Sequence, residues 1–386
     1  MSGPRLLMIC GDFPPALSGI GDYIDRLCGQ LVRDGWDITL LTTAGESPED
    51  SRRPFRVLRR MPDWGLRRRH ELIELARGFD LVHMQYPSVK YGRGPGVNLI
   101  PLWLRLAGIP CVVTIHDFRV MRWRWRARVV PMLMSATALI HVDAGDAPFL
   151  RRWSPLRHAP LVHIPIASNT PVLPCDEDTR RLWRRELGAA EEEFLIAHFG
   201  ILYPHKGLSE LLDAVDSLRQ EAHNARVMVV GDFDRDADYV APLTDRIRAS
   251  GAIWVRGADL EQVSRCLHAA DAAALPFHSG ASFNRSSMLA CLQHGLPTVT
   301  TNGPATPPEL KDVYDVLLVP VQDASALAGA LRKLITDPQL RQELRHRAFR
   351  STAPLSWQAV SRAHGDFYRT LLPTPTELPR ENPQRA

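Results

Sequence analysis

Four loops of the sequence carry residue types suited to binding or steering a charged ligand. Gly200-Ile-Leu-Tyr-Pro-His-Lys206-Gly207 comes directly after an apolar run and before a helical pattern. A lysine there is a mobile point charge within reach of a phosphate; the plain alternative is a solvated lysine near a turn. Ser279-Gly-Ala-Ser-Phe-Asn284-Arg285-Ser286-Ser287 leads small residues into a helix start. Backbone N–H groups, hydroxyls and a guanidinium together make a pyrophosphate cradle, although Ser286 or Ser287 would serve as an N-cap in any protein. Pro14-Pro-Ala-Leu-Ser-Gly19-Ile-Gly21 places two glycines before a helix, which allows close backbone approach to an anion or simply a tight turn. His116-Asp117 ends the run Val112 to Ile115, where an imidazole can hydrogen-bond a ligand hydroxyl. Local backbone satisfies most histidines, and the chain has 14, so placement alone singles out His116.

Other signals point elsewhere. Asp232-Phe-Asp-Arg-Asp-Ala-Asp238 alternates carboxylates but lacks the glycine and closing glutamate of a calcium loop, so a polar loop is expected and no metal. Arg52-Arg53, Arg56, Arg59-Arg60 and Arg67-Arg-Arg69 crowd one segment, and Arg119-Val-Met-Arg122-Trp-Arg124-Trp-Arg126-Ala-Arg128 interleaves arginine with tryptophan. That mixture suits an anionic membrane interface. A nucleic-acid surface has similar composition, and a solvated cationic face is the bland reading. Residues 1–165 hold 23 Lys/Arg against 15 Asp/Glu, and the remainder 24 against 28, so it is the first half that faces something anionic.

The elements that must position these loops alternate strand and helix. Arg5 to Cys10, Asp37 to Thr42, Leu81 to Met84, Cys111 to Ile115 and Ala138 to Val142 are strand-like runs, with helical spacing at Tyr23, Leu27 and Leu31 between the first two. A second series runs from Phe194 to Phe199 through Arg226 to Val230, Ile253 to Val255, Ala272 to Leu275 and Pro297 to Thr301, with helices at Leu208 to Leu218, Leu260 to Ala269 and Ser286 to His294. Strands separated by helices make parallel sheets, so the fold class is α/β with two Rossmann-like, doubly wound halves facing a central cleft. The halves span residues 1–168 and 191–355, with 169–190, rich in proline at its start, as linker and 373–386 as a disordered tail.

Length and composition agree with two ordinary cores: 386 residues, 45% hydrophobic and 23% charged. Six cysteines lie scattered with no Cys-x-x-Cys, which excludes a disulfide framework and suggests a reducing, cytoplasmic setting. The first residues carry no charged-then-apolar leader, and Val97 to Ile115, the most apolar stretch, is broken by Arg105, Gly108 and two prolines.

Taken in order, these pieces resemble glycosyltransferase family 4, whose members have the GT-B fold. The N-terminal Pro-Pro…Ser-Gly-Ile-Gly, Leu31-Val-Arg-Asp-Gly-Trp-Asp-Ile-Thr-Leu-Leu-Thr42, Asp80-Leu-Val-His83 and Thr114-Ile-His-Asp117 come first. Lys206-Gly207, Val229-Val-Gly-Asp232, Ala269-Ala-Asp271…Leu275-Pro276, Gly295-Leu-Pro-Thr-Val299, Pro308-Glu309-Leu310 and Ser356-Trp357 follow. The resemblance runs from about Leu6 to Leu372. It implies a first half that presents an acceptor and a second that binds a nucleotide-sugar, with residues 356–372 a helix returning to the first half. It further implies a retaining, metal-independent transfer to a glycan, a lipid-linked intermediate or a small metabolite, as in polysaccharide biosynthesis. No cofactor is expected, because the nucleotide-sugar is a substrate, and no nucleic acid. Peripheral contact with an anionic membrane fits the arginine–tryptophan stretch. The candidate residues are then His116 and Asp117 at the transferring sugar, with Gly19, Gly21, Gly200, Lys206, Asn284, Ser286, Ser287 and Glu309 at the donor; Arg285 joins the donor set by inference from its loop, as a replacement for the family's missing cation, and not by the resemblance. Two departures stand out: Ser282 and Ala290 occupy the positions of the family's paired glutamates, and Ile201 that of its loop arginine. A non-catalytic GT-B scaffold, or another GT-B chemistry such as nucleotide-sugar epimerisation, is the alternative those departures leave open.

Overall fold

The structure, a computed structural model, describes residues 3–16, 18–116, 118–154, 159–233, 238–307, 310 and 316–372. The chain forms two units: Met1–Pro165 with Trp357–Ala386, and Ile166–Ser356.

The first unit is built on a seven-stranded sheet: β1 (Arg5–Ile9), β2 (Asp37–Thr43), β3 (Arg56–Met61), β4 (Leu81–Tyr86), β5 (Cys111–Ile115), β6 (Ala138–His141) and β7 (Leu161–His163). They lie in the order β3-β2-β1-β4-β5-β6-β7, and every recorded pairing is parallel. Helices α1 (Gly19–Arg33), α2 (Arg69–Ala76), α3 (Gly96–Leu106), α4 (Trp123–Ser135) and α5 (Ala147–Trp153) provide the connections. Helix α1 opens where the Ser18 hydroxyl accepts from Gly21 N–H at 3.2 Å, and it buries Tyr23, Ile24, Leu27, Cys28 and Leu31 along one face.

The second unit contains α6 (Glu177–Glu186), β8 (Phe194–Phe199), α7 (Leu208–Gln220), β9 (Ala225–Val230), α8 (Val240–Ala249), β10 (Ile253–Val255), α9 (Leu260–Ala269), β11 (Ala272–Leu275), α10 (Ser286–Gln293), β12 (Thr298–Asn302), β13 (Val316–Pro320), α11 (Ala324–Thr336) and α12 (Pro338–Thr352). Its parallel sheet runs β10-β9-β8-β11-β12-β13. Alternate residues of one strand feed opposite cores, as the pleat requires. Val227 and Val229 pack with the side bearing Leu211 and Leu331, whereas Met228 and Val230 join Val263, Cys266 and Leu292. Helix α13 (Trp357–Arg369) then belongs to the first unit and packs on α1, with Trp36 edge-on to Tyr368.

The stretch 169–190, read as linker, contains α6. Its sequence Glu-Asp-Thr-Arg-Arg-Leu-Trp-Arg-Arg-Glu has no apolar stripe. It is held by the single buried Trp183, against His268, and by charge: Arg180 and Arg184 both bond the Asp271 carboxylate, at 2.6 and 2.9 Å, and Arg184 is buried. A polar helix pinned through long-range ion pairs leaves no periodic signal.

Candidate functional site

In both sheets the strand order turns back beside the first strand, between β1 and β4 and between β8 and β11. Ligands of open parallel sheets gather at that switch point, outside the carboxyl ends of the strands. In the second unit the loop after β8 carries Gly200 and Lys206, and the loop after β11 carries Phe277, Asn284 and Arg285.

Backbone packing fixes these loops. Gly207 sits in the left-handed region at φ 74°, and a Cβ there would lie 2.1 Å from the Pro276 carbonyl oxygen. His278 N–H donates to the His205 carbonyl at 3.0 Å, tying the two loops together. The buried Phe277 ring is shared by two cations. Lys206 Nζ lies 4.9 Å from its centroid and the Arg285 guanidinium carbon 4.2 Å. Arg285 also donates to Ser279 Oγ at 2.5 Å and to the Gly280 carbonyl at 3.2 Å. Their positive field reaches the neighbouring imidazoles. Burial lowers the His205 pKa first, with Lys206, Arg285 and His278 adding to it; burial takes His198 down to about 4, against its bond to the Ala274 carbonyl and with Lys206 adding. Two cations and imidazoles whose protonation is disfavoured thus meet at the loops after β8 and β11.

Neither serine caps α10. The cap residue is Arg285 in extended geometry with no side-chain bond to the helix, and Ser286 and Ser287 are the first two helical residues. The N–H groups of that first turn have no partner within the helix, and Ser287 faces Gly200, at whose φ of 131° a Cβ would stand 3.6 Å from the Ser287 Cβ. Lys206, Arg285, Gly200 and Ser287 are thus brought together, with the half-buried Asn284 and Ser286 on the same loop. At the positions of the family's glutamates, Ser282 is buried and Ala290 lies wholly inside the apolar core. Side chains that the sequence reading missed are Phe277, the floor of the site, and Glu210, whose Oε1 meets His278 Nε2 at 2.8 Å. No spacing rule links them; they meet because the sheet places α7 beside the loop after β11.

In the first unit, His116 follows β5, is 6% exposed, and places Nε2 2.9 Å from Gln85 Oε1. Its partner is a side chain from the neighbouring strand rather than local backbone. Burial, with His364 nearby, drives its pKa down to about 3, so the ring is neutral at ordinary pH. The buried Asp146 holds the loop beyond it by accepting the N–H groups of Phe118 and Arg119 at 3.1 and 2.9 Å. Tyr23 of α1 lies edge-on to the His116 ring at 5.7 Å, which connects His116 to the helix that Gly19 and Gly21 open. At Gly21 a Cβ would meet the Asp12 carbonyl oxygen at 3.0 Å, a tight fit against backbone; around Gly19 no atom of the described residues lies within 4 Å. Asp117 and Glu309 lie outside the described residues.

The two arginine-rich stretches behave differently from a uniform cationic face. Arg53 bonds Asp25 and Asp50, Arg59 bonds Asp50 and the Pro14 carbonyl, and Arg68 pairs with Asp63 and Glu71. Part of that segment is thus paired internally, and Arg56 to Met61 is the strand β3. In α4, Arg126 turns inward to the Arg119 carbonyl and the Phe118 and Phe149 rings. Arg122, Trp123, Arg124 and Trp125 stay exposed, the two indoles at 66% and 40%. None of the described helices is long and apolar enough to cross a membrane.

The family model described as glycosyl transferases group 1 matches residues 179–351, and that described as glycosyl transferase 4-like domain matches residues 18–167. The two matches leave only a short stretch between them. A GDP-mannose-dependent alpha-(1-6)-phosphatidylinositol monomannoside mannosyltransferase of Mycolicibacterium smegmatis is 23% identical over 352 residues, 86% of this chain and 90% of the relative. A D-inositol 3-phosphate glycosyltransferase of Corynebacterium jeikeium is 30% identical over 200 residues, 49% of this chain and 46% of the relative. Among solved structures, a glycosyltransferase from Rickettsia africae matches with a TM-score of 0.78 at 12% identity, covering 96% of this chain and 99% of that one. Anabaena HepE, solved with UDP and glucose, matches at 0.75 and 16% identity, covering 95% and 100%.

Proposed function

Because the chain belongs to the GT-B glycosyltransferases of family 4, we propose that it moves a sugar from a nucleoside diphosphate donor to an anionic or lipid-linked acceptor. The observation that carries this reading is the convergence of Lys206 and Arg285 on one buried ring at the switch point between β8 and β11. As the glycosidic bond breaks, negative charge grows on the departing diphosphate, and fixed cations with helix N–H donors lower the barrier. Two side-chain cations supply that charge in place of a metal, and the transfer retains the anomeric configuration, as the family resemblance implies. Arg285 stands in for the loop arginine whose place Ile201 takes. His116 and Asp117 lie towards the transferring sugar. Gly19 admits the diphosphate closely, and Gly200, Asn284, Ser286, Ser287 and Glu309 complete the donor pocket. Relatives named for phosphatidylinositol and inositol phosphate acceptors, with the basic first half, support an anionic acceptor.

Calorimetry with GDP, UDP, GDP-mannose and UDP-glucose tests this. One diphosphate pair should bind, and Lys206→Ala or Arg285→Ala should each weaken it by about 1.5–3 kcal/mol, the scale of a charged hydrogen bond. Unchanged affinity in both variants would remove the cations from the donor site.

The exposed Arg122, Trp123, Arg124 and Trp125 favour peripheral docking on an anionic membrane, indoles at headgroup depth and guanidiniums on phosphates. Phosphatidylglycerol vesicles at low salt should bind the chain and phosphatidylcholine vesicles should not. Arg122→Ala with Arg124→Ala should abolish that binding, while Arg126, engaged inward, is left intact. Equal binding to both vesicle types would dispose of the idea.

A further inference from the structure

We infer that Gln85 is a positioning residue that decides which ring nitrogen His116 offers to a ligand, as the centre of a hydrogen-bond chain running back to Tyr368 of α13. The inference rests on the reading of His116 as a sugar-side residue, but its geometry is independent of that reading.

Tyr368 Oη lies 2.6 Å from His83 Nδ1. His83 Nε2 lies 2.7 Å from Thr114 Oγ1 and 3.1 Å from Gln85 Nε2. Gln85 Oε1 then lies 2.9 Å from His116 Nε2. Tyr368, His83, Gln85 and Thr114 are fully buried, so water does not compete for these groups.

The orientation of one amide sets every proton in the chain. Gln85 Nε2 faces the Met8 sulfur at 3.6 Å as well as His83 Nε2. A thioether sulfur can only accept, so the amide end facing it is the NH₂ group, and His83 Nε2 beside that group is the unprotonated ring nitrogen. Its carbonyl is therefore turned to His116 and takes the Nε2 proton, which makes Nδ1 of His116 a lone pair. His83 Nε2 accepts from the amide, so its Nδ1 carries the proton and donates to Tyr368. All the links point one way, from His116 to the last helix.

A sugar hydroxyl is both donor and acceptor. Presented with a neutral Nδ1 lone pair, it is held as a donor, in a single geometry. A freely exchanging tautomer would offer that geometry only part of the time, and an imidazolium never. The groups packed on His116 from each side are Tyr23 of α1, His83 and Gln85 of β4, and His364 of α13, with no carboxylate among the described contacts. Burial lowers the proton affinity of His116, His83 and His364 alike, which keeps the chain neutral. Glutamine suits the central place because one end donates and the other accepts, with no charge of its own.

The test is two-bond ¹H–¹⁵N correlation on the full chain labelled with ¹⁵N-histidine, the His116 signal being the one lost in His116→Ala. The expected result is the Nε2–H tautomer, unchanged from pH 8 to pH 5. In Gln85→Glu a carboxylate replaces the amide carbonyl beside Nε2, and His116 should become an imidazolium that titrates at or above its ordinary range. In Gln85→Met the signal should show mixed tautomers, whereas Tyr368→Phe, which keeps the ring, should disturb His83 and leave His116 in place. A wild-type His116 protonated on Nδ1, or titrating between pH 5 and 8, would overturn the proposal even if every variant failed to fold. So would a Gln85→Glu chain, folded by circular dichroism, with His116 unaltered. Sugar transfer retained in His116→Ala would instead remove the sugar-side reading of His116 and leave the tautomer result standing.

Discussion

The carboxyl ends of the two sheets occupy equivalent topological positions and are furnished in opposite ways. At the β8–β11 switch point the groups are cations on mobile stems, gathered over a phenyl ring and only half buried. Around β4 and β5, beside the β1–β4 switch point, they are neutral imidazole, amide and phenol groups locked in a buried chain. Among the described residues, Asp12 and Asp146 serve structure there: Asp12 accepts from the Ser88 hydroxyl and the Val89 and Lys90 N–H groups, and Asp146 from the Phe118 and Arg119 N–H groups of the loop after β5. The strand order is of one kind in both sheets, so the difference lies in the loops: cations gathered in the second unit, a buried neutral chain in the first.

Acidification puts the largest load on this difference. Burial pushes His116 to about 3 and His364 to about 4, and His83 is lowered well below its usual value. A histidine depressed in the folded state binds its proton more readily when unfolded, so its stabilising contribution is complete above about pH 6.5 and drains away as pH falls towards the folded value. Each fully buried histidine of this kind costs roughly 1–2 kcal/mol of stability between pH 7 and pH 5. In the first unit three of them share one cluster. In the second, His198 and His294, both near 4, are anchored separately, on the Ala274 carbonyl and on Ser264 with the Ala290 carbonyl. Hydrogen exchange at pH 5 should therefore show β4 and α13 losing protection before β8 and α9. The reverse order would mean that the buried chain is not the acid-sensitive part.

The same difference explains what the sequence disclosed. Parallel strands buried on both faces are apolar runs, so β1, β4, β8, β9 and β11 could be read within a residue or two. Lys206 and Arg285 were legible because a cation in a glycine- or serine-rich loop after a strand is a local pattern. Strand β3, Arg-Val-Leu-Arg-Arg-Met, reads in sequence as part of a basic patch because edge position and ion pairs, not an apolar run, define it. Gln85 and Tyr368 were not legible at all. Each looks like an ordinary strand or helix residue, and their roles come from a bond across 285 positions of sequence between Tyr368 and His83. Helix α6 escaped for the same reason, its anchor Asp271 being supplied by a distant segment.

The glycines give the last and smallest way to sharpen the contrast. Gly207 is demanded by the fold: its φ of 74° costs a side chain about 1–2 kcal/mol, and the Cβ of an alanine would collide with the Pro276 backbone. Gly207→Ala should lower stability by about 3 kcal/mol in urea unfolding, within the range of severe single substitutions. Gly19 is different, having no positive φ and, among the described residues, no atom within 4 Å of an added Cβ. As the first residue of α1 it tolerates alanine, so Gly19→Ala should leave stability within about 0.5 kcal/mol. If turnover nonetheless falls, the missing side chain is space for the ligand. If turnover is also unchanged, close approach at Gly19 is refuted, and the loop after β1 acts through Gly21 and its packing alone.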